Sequence, residues 1–260
     1  MTTLRSRWAS GDSTLGAWLS IPSTVSAEVT ARTGFDYVCV DTQHGAIGYA
    51  DSIAMVQAIE LGGSRPVVRV PWNEPGIIGK SLDAGAEGVI VPMVNSVAEA
   101  EAVVRACRYP PHGARSFGPV MAGMRTRDVV ASGLHDVAVI PMIETAQALA
   151  ALDDILAVPG IDAVYVGPAD LSLSLGLPPG HNDGTAVFDE ALAAIVAACR
   201  RAGVVPGIHA SGPLAPRRLE QGFRLITIST DTAAMRAGMV QDLASARSGG
   251  SGDGAGRSVY

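Results

Sequence analysis

An α/β fold closed into a single-domain (β/α)8 TIM barrel is the architecture this 260-residue chain predicts, on three observations. Eight short runs rich in Val and Ile recur at intervals that leave room for a helix after each. Most of these runs are continuously apolar rather than alternating, the pattern of parallel strands covered on both faces. No linker divides the chain, and about 250 residues of repeating units fit one barrel better than an open doubly wound sheet.

The strand runs are "LGAWLS" (15–20), "YVCVDT" (37–42), "RPVVRV" (65–70), "GVIVPM" (88–93), "VAVIPMIE" (137–144), "AVYVGPAD" (163–170), "VPGIHA" (205–210) and "LITISTD" (225–231). Between them lie helix-like stretches: "SAEVTARTG", "ADSIAMVQAIELGG", "VAEAEAVVRACR", "TAQALAALDDILAV" and "FDEALAAIVAACRRAG". Several end at Gly, a favoured helix stop. "TAAMRAGMVQDLASA" reads as a terminal helix able to dock on its own barrel or to exchange with a neighbour's. The barrel domain is therefore expected over 1–247. The small, polar stretch 248–260 buries too little to offset its ordering entropy and is expected as a flexible tail.

Composition excludes several classes of function. Apolar residues make up 48% and charged ones 17%, so the chain reads as a compact globule. Its formal net charge is −6 with no dense Lys/Arg cluster, which removes the electrostatic footprint for nucleic acid or anionic lipid. No apolar stretch reaches the ~20 residues of a membrane span, and "MTTLRSRWASGDS" lacks the apolar centre of a signal peptide, so the cytoplasm is the expected location. Cys39, Cys107 and Cys199 form no C-x-x-C pair and read as small core residues.

Active sites of such barrels form at the C-terminal ends of the strands. There the sequence offers Asp41 and His44 after the second run, Arg69 at the end of the third, Glu144 after the fifth, Asp170 after the sixth and His209 after the seventh. Each has a plainer reading. Asp170 can cap a short helix "LSLSLG", Glu144 can open the helix that follows it, and His44 can be a turn residue. Together they are harder to dismiss. Two carboxylates on neighbouring strands can hold one hard divalent cation and leave positions for water and substrate. A guanidinium beside them can steady an enolate and an imidazole can move a proton.

"VCVDTQHGAIG", the long stretch from "VVRVPWNEPGIIGKSLDAGAEG" to "GARSFG", "MIETAQAL" and "VYVGPADLSLSLG" resemble, in consistent order over roughly 15–243, the HpcH/HpaI aldolases, the metal-dependent class II pyruvate aldolases. The resemblance implies that Glu144 and Asp170 ligate Mg²⁺, Mn²⁺ or Co²⁺, and that Arg69 contacts the pyruvate oxygen. It makes His44 the acid/base and Asp83 the acid that supports it, with Asp41 orienting the same loop. Ala169 and Asp170 would receive the pyruvate carboxylate on their backbone N–H groups. The implied reaction is retro-aldol cleavage of 4-hydroxy-2-oxo acids to pyruvate and an aldehyde, by a homo-oligomer, a hexamer or trimer. No Schiff-base lysine is needed.

Two positions depart from the family pattern. Met142 stands where Gln is frequent, and His209 stands where relatives carry an apolar residue, which makes His209 a candidate substrate contact. Both bear on the aldehyde partner and on metal preference. Arg115 and Ser116 resemble a segment bordering the pocket, whereas His112, His135 and His181 carry no ligand signal. Two other functions remain open at this stage: an oxaloacetate decarboxylase or related C–C lyase or synthase using the same enolate, and a non-catalytic barrel that binds 2-oxo acids.

Overall fold

The structure, a computed structural model, describes residues 3–125 and 136–248. His135 and the tail from 249 onward lie outside the described residues. All eight expected strands form: β1 Thr14–Leu19, β2 Tyr37–Asp41, β3 Arg65–Arg69, β4 Gly88–Val91, β5 Ala138–Pro141, β6 Ala163–Val166, β7 Val205–His209 and β8 Leu225–Thr230. They run parallel in the order β5-β4-β3-β2-β1-β8-β7-β6. The remaining gap between β5 and β6 is bridged by Met142 paired with Tyr165 and by the Ile143 N–H donating to the Tyr165 carbonyl at 2.9 Å.

The helices are α1 Leu4–Ala9, α2 Thr24–Arg32, α3 Tyr49–Leu61, α4 Pro75–Asp83, α5 Val97–Cys107, α6 Val120–Arg125, α7 Ala146–Ala150, α8 Leu152–Leu156, α9 Pro168–Ser174, α10 Ala186–Ala202, α11 Ala215–Gln221 and α12 Asp231–Arg247. The stretch expected as one helix over 145–158 is two, α7 and α8, because Ala151 between them leaves helical geometry at φ −101, ψ 11.

Strand side chains alternate between two cores, as the two-residue period of a strand requires. Val38, Val40, Val68, Val89 and Val91 point outward into the layer shared with the helices. Tyr37, Cys39, Val67, Ile90, Ile140 and Tyr165 fill the barrel interior. The continuous apolar runs are thus strands buried on both faces. Leu4 and Trp8 of α1 join the interior core, so the N-terminal helix plugs one end of the barrel. Its Trp8 indole N–H donates to Thr14 at 3.0 Å, and Arg5 pairs with Asp136 and Asp162.

Gly16 on β1 faces Tyr37 so closely that a Cβ there would lie 2.2 Å from the ring. A Gly16→Ala variant is therefore expected to overpack the interior and lose roughly 1–3 kcal/mol, read as a lower urea midpoint. An unchanged midpoint would show that the ring can move aside.

The three cysteines are buried as expected, and burial pushes the Cys39 thiol well above its ordinary range. The terminal helix α12 forms but buries no residue, and Met235, Met239, Val240 and Leu243 are exposed along it. Only its start is tied to its own barrel, where the Asp231 carboxylate accepts from the Ser20 and Ile21 N–H groups. No helix among the described residues is long and apolar enough to cross a membrane.

Candidate active site

The strand ends bring most of the expected residues to one rim. Asp41 closes β2 and is buried. Its carboxylate accepts from Arg69 Nε at 2.9 Å and Nη2 at 2.6 Å, and from the backbone N–H groups of Gln43 and His44 at 3.0 and 3.2 Å. Burial opposes that charge. The Arg69 hydrogen bonds and cation outweigh it and hold the Asp41 carboxyl below its usual range. A side-on carboxylate fixes the plane of a guanidinium, so Asp41 aims Arg69. The Arg69 guanidinium also lies over the Trp18 ring, 4.9 Å from its centroid.

His44 lies in the turn just past β2, with its imidazole exposed. Gly45 makes that turn possible, because a Cβ there would meet the Asp41 carbonyl at 2.3 Å. Asp41 therefore serves both residues: it orients Arg69 by its oxygens and the His44 loop by accepting the loop's N–H groups.

Glu144 follows β5 and is only 2% exposed. Its Oε1 accepts from the Met93 N–H at 2.8 Å, while Oε2 is sealed from solvent with no hydrogen-bond partner. Met93 adopts a left-handed φ of 57°, unusual for a residue with a side chain. The neighbouring Asn95 amide donates to the Met93 carbonyl at 2.9 Å, and Thr145 hydrogen-bonds Asn95, so this turn is latched to the segment carrying Glu144. Burial first, and then the charge of Asp170, push the Glu144 carboxyl up to about 7, against the Met93 N–H and Arg69.

Neither acid is the capping residue of its helix. Thr145, not Glu144, caps α7 by accepting from the Ala148 N–H at 3.0 Å. Gly167, not Asp170, is the cap residue of α9; Asp170 lies exposed in the first turn, beside exposed Ala169. A Cβ on Gly167 would fall 2.4 Å from Glu144 Oε2, so the glycine leaves room for the acid. The residues fit a cation: a buried carboxylate oxygen without a donor, a second carboxylate close enough to raise its pKa, and oxygen chemistry suited to a hard ion. Among the described residues no cluster of three or more His, Cys, Asp or Glu that could hold a metal forms.

A family model described as HpcH/HpaI aldolase/citrate lyase matches residues 14–237. The chain belongs to that family. It is 41% identical to a hydroxypyruvate/pyruvate aldolase of Rhizorhabdus wittichii over 95% of this chain and 99% of that one. It is 38% identical to a 4-hydroxy-2-oxo-heptane-1,7-dioate aldolase of Salmonella paratyphi C over 86% of each. A solved HpcH/HpaI aldolase/citrate lyase family protein from Burkholderia cenocepacia J2315 superposes with a TM-score of 0.88, at 35% identity, covering 95% of this chain and 100% of that one. The protein is accordingly a carbon–carbon lyase.

Within this HpcH/HpaI family member, Asp83 does not join the rim. It ends α4, where its Oδ1 accepts from Arg115 Nη2 at 2.5 Å, and no hydrogen bond or ion pair links it to His44. Arg115 is buried, stacks over the Tyr109 ring at 4.7 Å, and lines with Asp83, Lys80 and Arg105 a groove of about 710 Å³ between α4 and α5. Arg115 and Ser116 thus border this groove, not the barrel mouth.

Met142 is a buried interior residue at the closing bridge, packed toward Gly167. His209 ends β7, meets Trp18 edge-on at 5.3 Å and stands 3.4 Å from the Tyr165 hydroxyl. Burial first, then Arg69 and His181, lower its pKa to about 4. Trp18, Met93 and Tyr165 belong to the site without having been singled out in the sequence. Trp18 carried a signal, an aromatic at the C-terminal end of the first strand run; Met93 and Tyr165 carried none.

Proposed function

We propose that this protein is a metal-dependent aldolase that reversibly cleaves 4-hydroxy-2-oxo acids to pyruvate and an aldehyde. The observation that carries this reading is the unpartnered, buried Oε2 of Glu144, lying against Gly167 of the segment that carries Asp170 and within the field of Asp170 and Arg69. Glu144 and Asp170 would hold the divalent cation, Mg²⁺, Mn²⁺ or Co²⁺, which when bound supplies Lewis-acid polarisation of the 2-oxo group. Arg69, aimed by Asp41 and backed by Trp18, donates to the ketone oxygen as negative charge develops there. The exposed imidazole of His44 takes the C4 hydroxyl proton, directly or through a water. The C3–C4 pair then moves to C2–C3, the aldehyde leaves, and protonation at C3 gives pyruvate. Ala169 and Asp170 would seat the substrate carboxylate on first-turn N–H groups of α9, which lack intrahelical acceptors.

Incubation with pyruvate, a panel of aldehydes and each cation should give hydroxy-oxo acids that EDTA abolishes. Pyruvate formed only from oxaloacetate would replace this reading with a decarboxylase. Binding without turnover, unchanged in His44→Ala, would replace it with a non-catalytic barrel.

The reading includes a cytoplasmic homo-oligomer, a hexamer or trimer, with α12 covered by a neighbour. Met235, Met239 and Leu243 repeat every four residues along a helix that buries nothing in its own chain, and one face of exposed apolar side chains at that spacing suits a partner. Placing the histidine-supporting Asp83 at the rim would likewise need a neighbouring subunit. Met239→Asp is expected to shift the sedimentation profile toward smaller species, and an unshifted profile would remove α12 from the interface.

A further inference from the structure

His209 and Arg69 share one surface, the Trp18 indole, so the His209 ring belongs to the same rim as the group assigned to the ketone oxygen. Its hydrogen-bonding state is set from the barrel interior. A phenol has one proton, and Tyr165 donates its own to Thr227 Oγ1 at 2.6 Å. Toward His209 Nδ1, at the longer distance of 3.4 Å, the Tyr165 oxygen can then only accept. The network therefore assigns the proton of the neutral imidazole to Nδ1 and leaves a lone pair on Nε2. Thr227 is itself held by the Tyr37 hydroxyl at 2.8 Å, so the chain of hydroxyls is anchored across the interior. Nε2 has no hydrogen-bond partner among the described residues and is not sealed from solvent.

We infer that His209 Nε2 acts as a hydrogen-bond acceptor at the barrel mouth and selects a reactant bearing a hydroxyl next to its carbonyl over the methyl isostere. The inference rests on the aldolase reading and adds a specificity-determining residue to it. A protonated ring would attract a carboxylate instead; burial, Arg69 and His181 hold the ring neutral, with only Asp41 opposing them. A hydroxyl placed there donates to Nε2. A methyl displaces water from the nitrogen and leaves it without a partner. An apolar residue at 209 would not distinguish the two.

The hydroxyl can come from either reactant, and isosteric pairs separate the sources. Glycolaldehyde is compared with propanal against pyruvate, and 3-hydroxypyruvate with 2-oxobutyrate against propanal. The native protein should favour the hydroxylated member of at least one pair by roughly ten-fold in kcat/KM. His209→Leu should bring that ratio near one. Tyr165→Phe, which keeps the ring but removes the acceptor for Nδ1–H, should narrow it. A ratio unchanged in His209→Leu overturns the inference, as does a ¹⁵N spectrum of the native protein near neutral pH that shows the proton on Nε2. Absence of product from every probe would remove the aldolase reading and the selection with it, a different signature from turnover without discrimination.

Discussion

Glu144→Gln should lose cation-dependent turnover by roughly 10²–10³-fold or more, yet leave the cation-free protein more stable than the native one at pH 8. The two effects have one origin. A carboxylate with one sealed, partnerless oxygen in the field of Asp170 is costly when ionised and empty, and that mismatch is what a divalent ion relieves. The direction with pH follows from the carboxyl being raised from 4.5 to about 7, by burial first and Asp170 next. Between those values the folded state keeps a proton that the unfolded state has released. Stability is thus full below about 4.5 and falls as pH rises through 7, by about 3 kcal/mol in all.

His209 acts with the opposite sign in an overlapping window. Its pKa is lowered from 6.5 to about 4, so the folded state lacks a proton that the unfolded state binds, and stability falls as pH drops from 6.5. These two contributions oppose one another in the native profile, and the diagnostic quantity is the difference between native and Glu144→Gln. Urea midpoints with EDTA at pH 5 and pH 8 measure it. If the two proteins share one pH dependence, Glu144 is not the strained acid described here. Added Mn²⁺ should stabilise the native protein at pH 8 and leave Glu144→Gln unmoved.

The barrel was legible because most strands are buried on both faces, which writes an uninterrupted apolar run such as "YVCV" or "VYVG" into the chain. The rim was legible for a related reason: Asp41, Glu144 and Asp170 are acids that end such runs, where a core would exclude them. Their partners were not. Nothing local distinguishes Met93, whose contribution is a backbone N–H presented by a left-handed turn, from any other methionine after a strand. Tyr165 looks like a strand aromatic until its hydroxyl is seen to meet Thr227, 62 positions on. The α1 plug was missed because six residues with two buried side chains make no periodic pattern. Asp83 shows the limit of one chain: motif likeness proposes a support for His44, and within a single chain that acid pairs with Arg115.

Gly167→Ala is expected to leave the fold intact and to reduce cation-dependent turnover by roughly 10²-fold. Its φ of −93° is open to any residue, so the backbone is not the obstacle. The obstacle is space: the new methyl would lie 2.4 Å from Glu144 Oε2 and 3.0 Å from Met142 Cε. Oε2 is the far end of a side chain and can swing away, which is why folding survives. In swinging it gives up the position that Gly167 leaves open for it, and a displacement of about 1 Å at a ligand is enough for a loss of that size. Met142 limits the escape, since it is buried at the bridge between β5 and β6. Shortening that neighbour in Gly167→Ala/Met142→Ala should therefore return part of the lost activity, although Met142→Ala alone is expected to lower stability by about 2–5 kcal/mol. Kinetics at saturating and limiting Mn²⁺ separate the causes: a defect overcome by more cation locates the damage at the carboxylates. A defect indifferent to cation, or a double variant no better than Gly167→Ala, would place the function of this glycine elsewhere, in the approach of the substrate to α9.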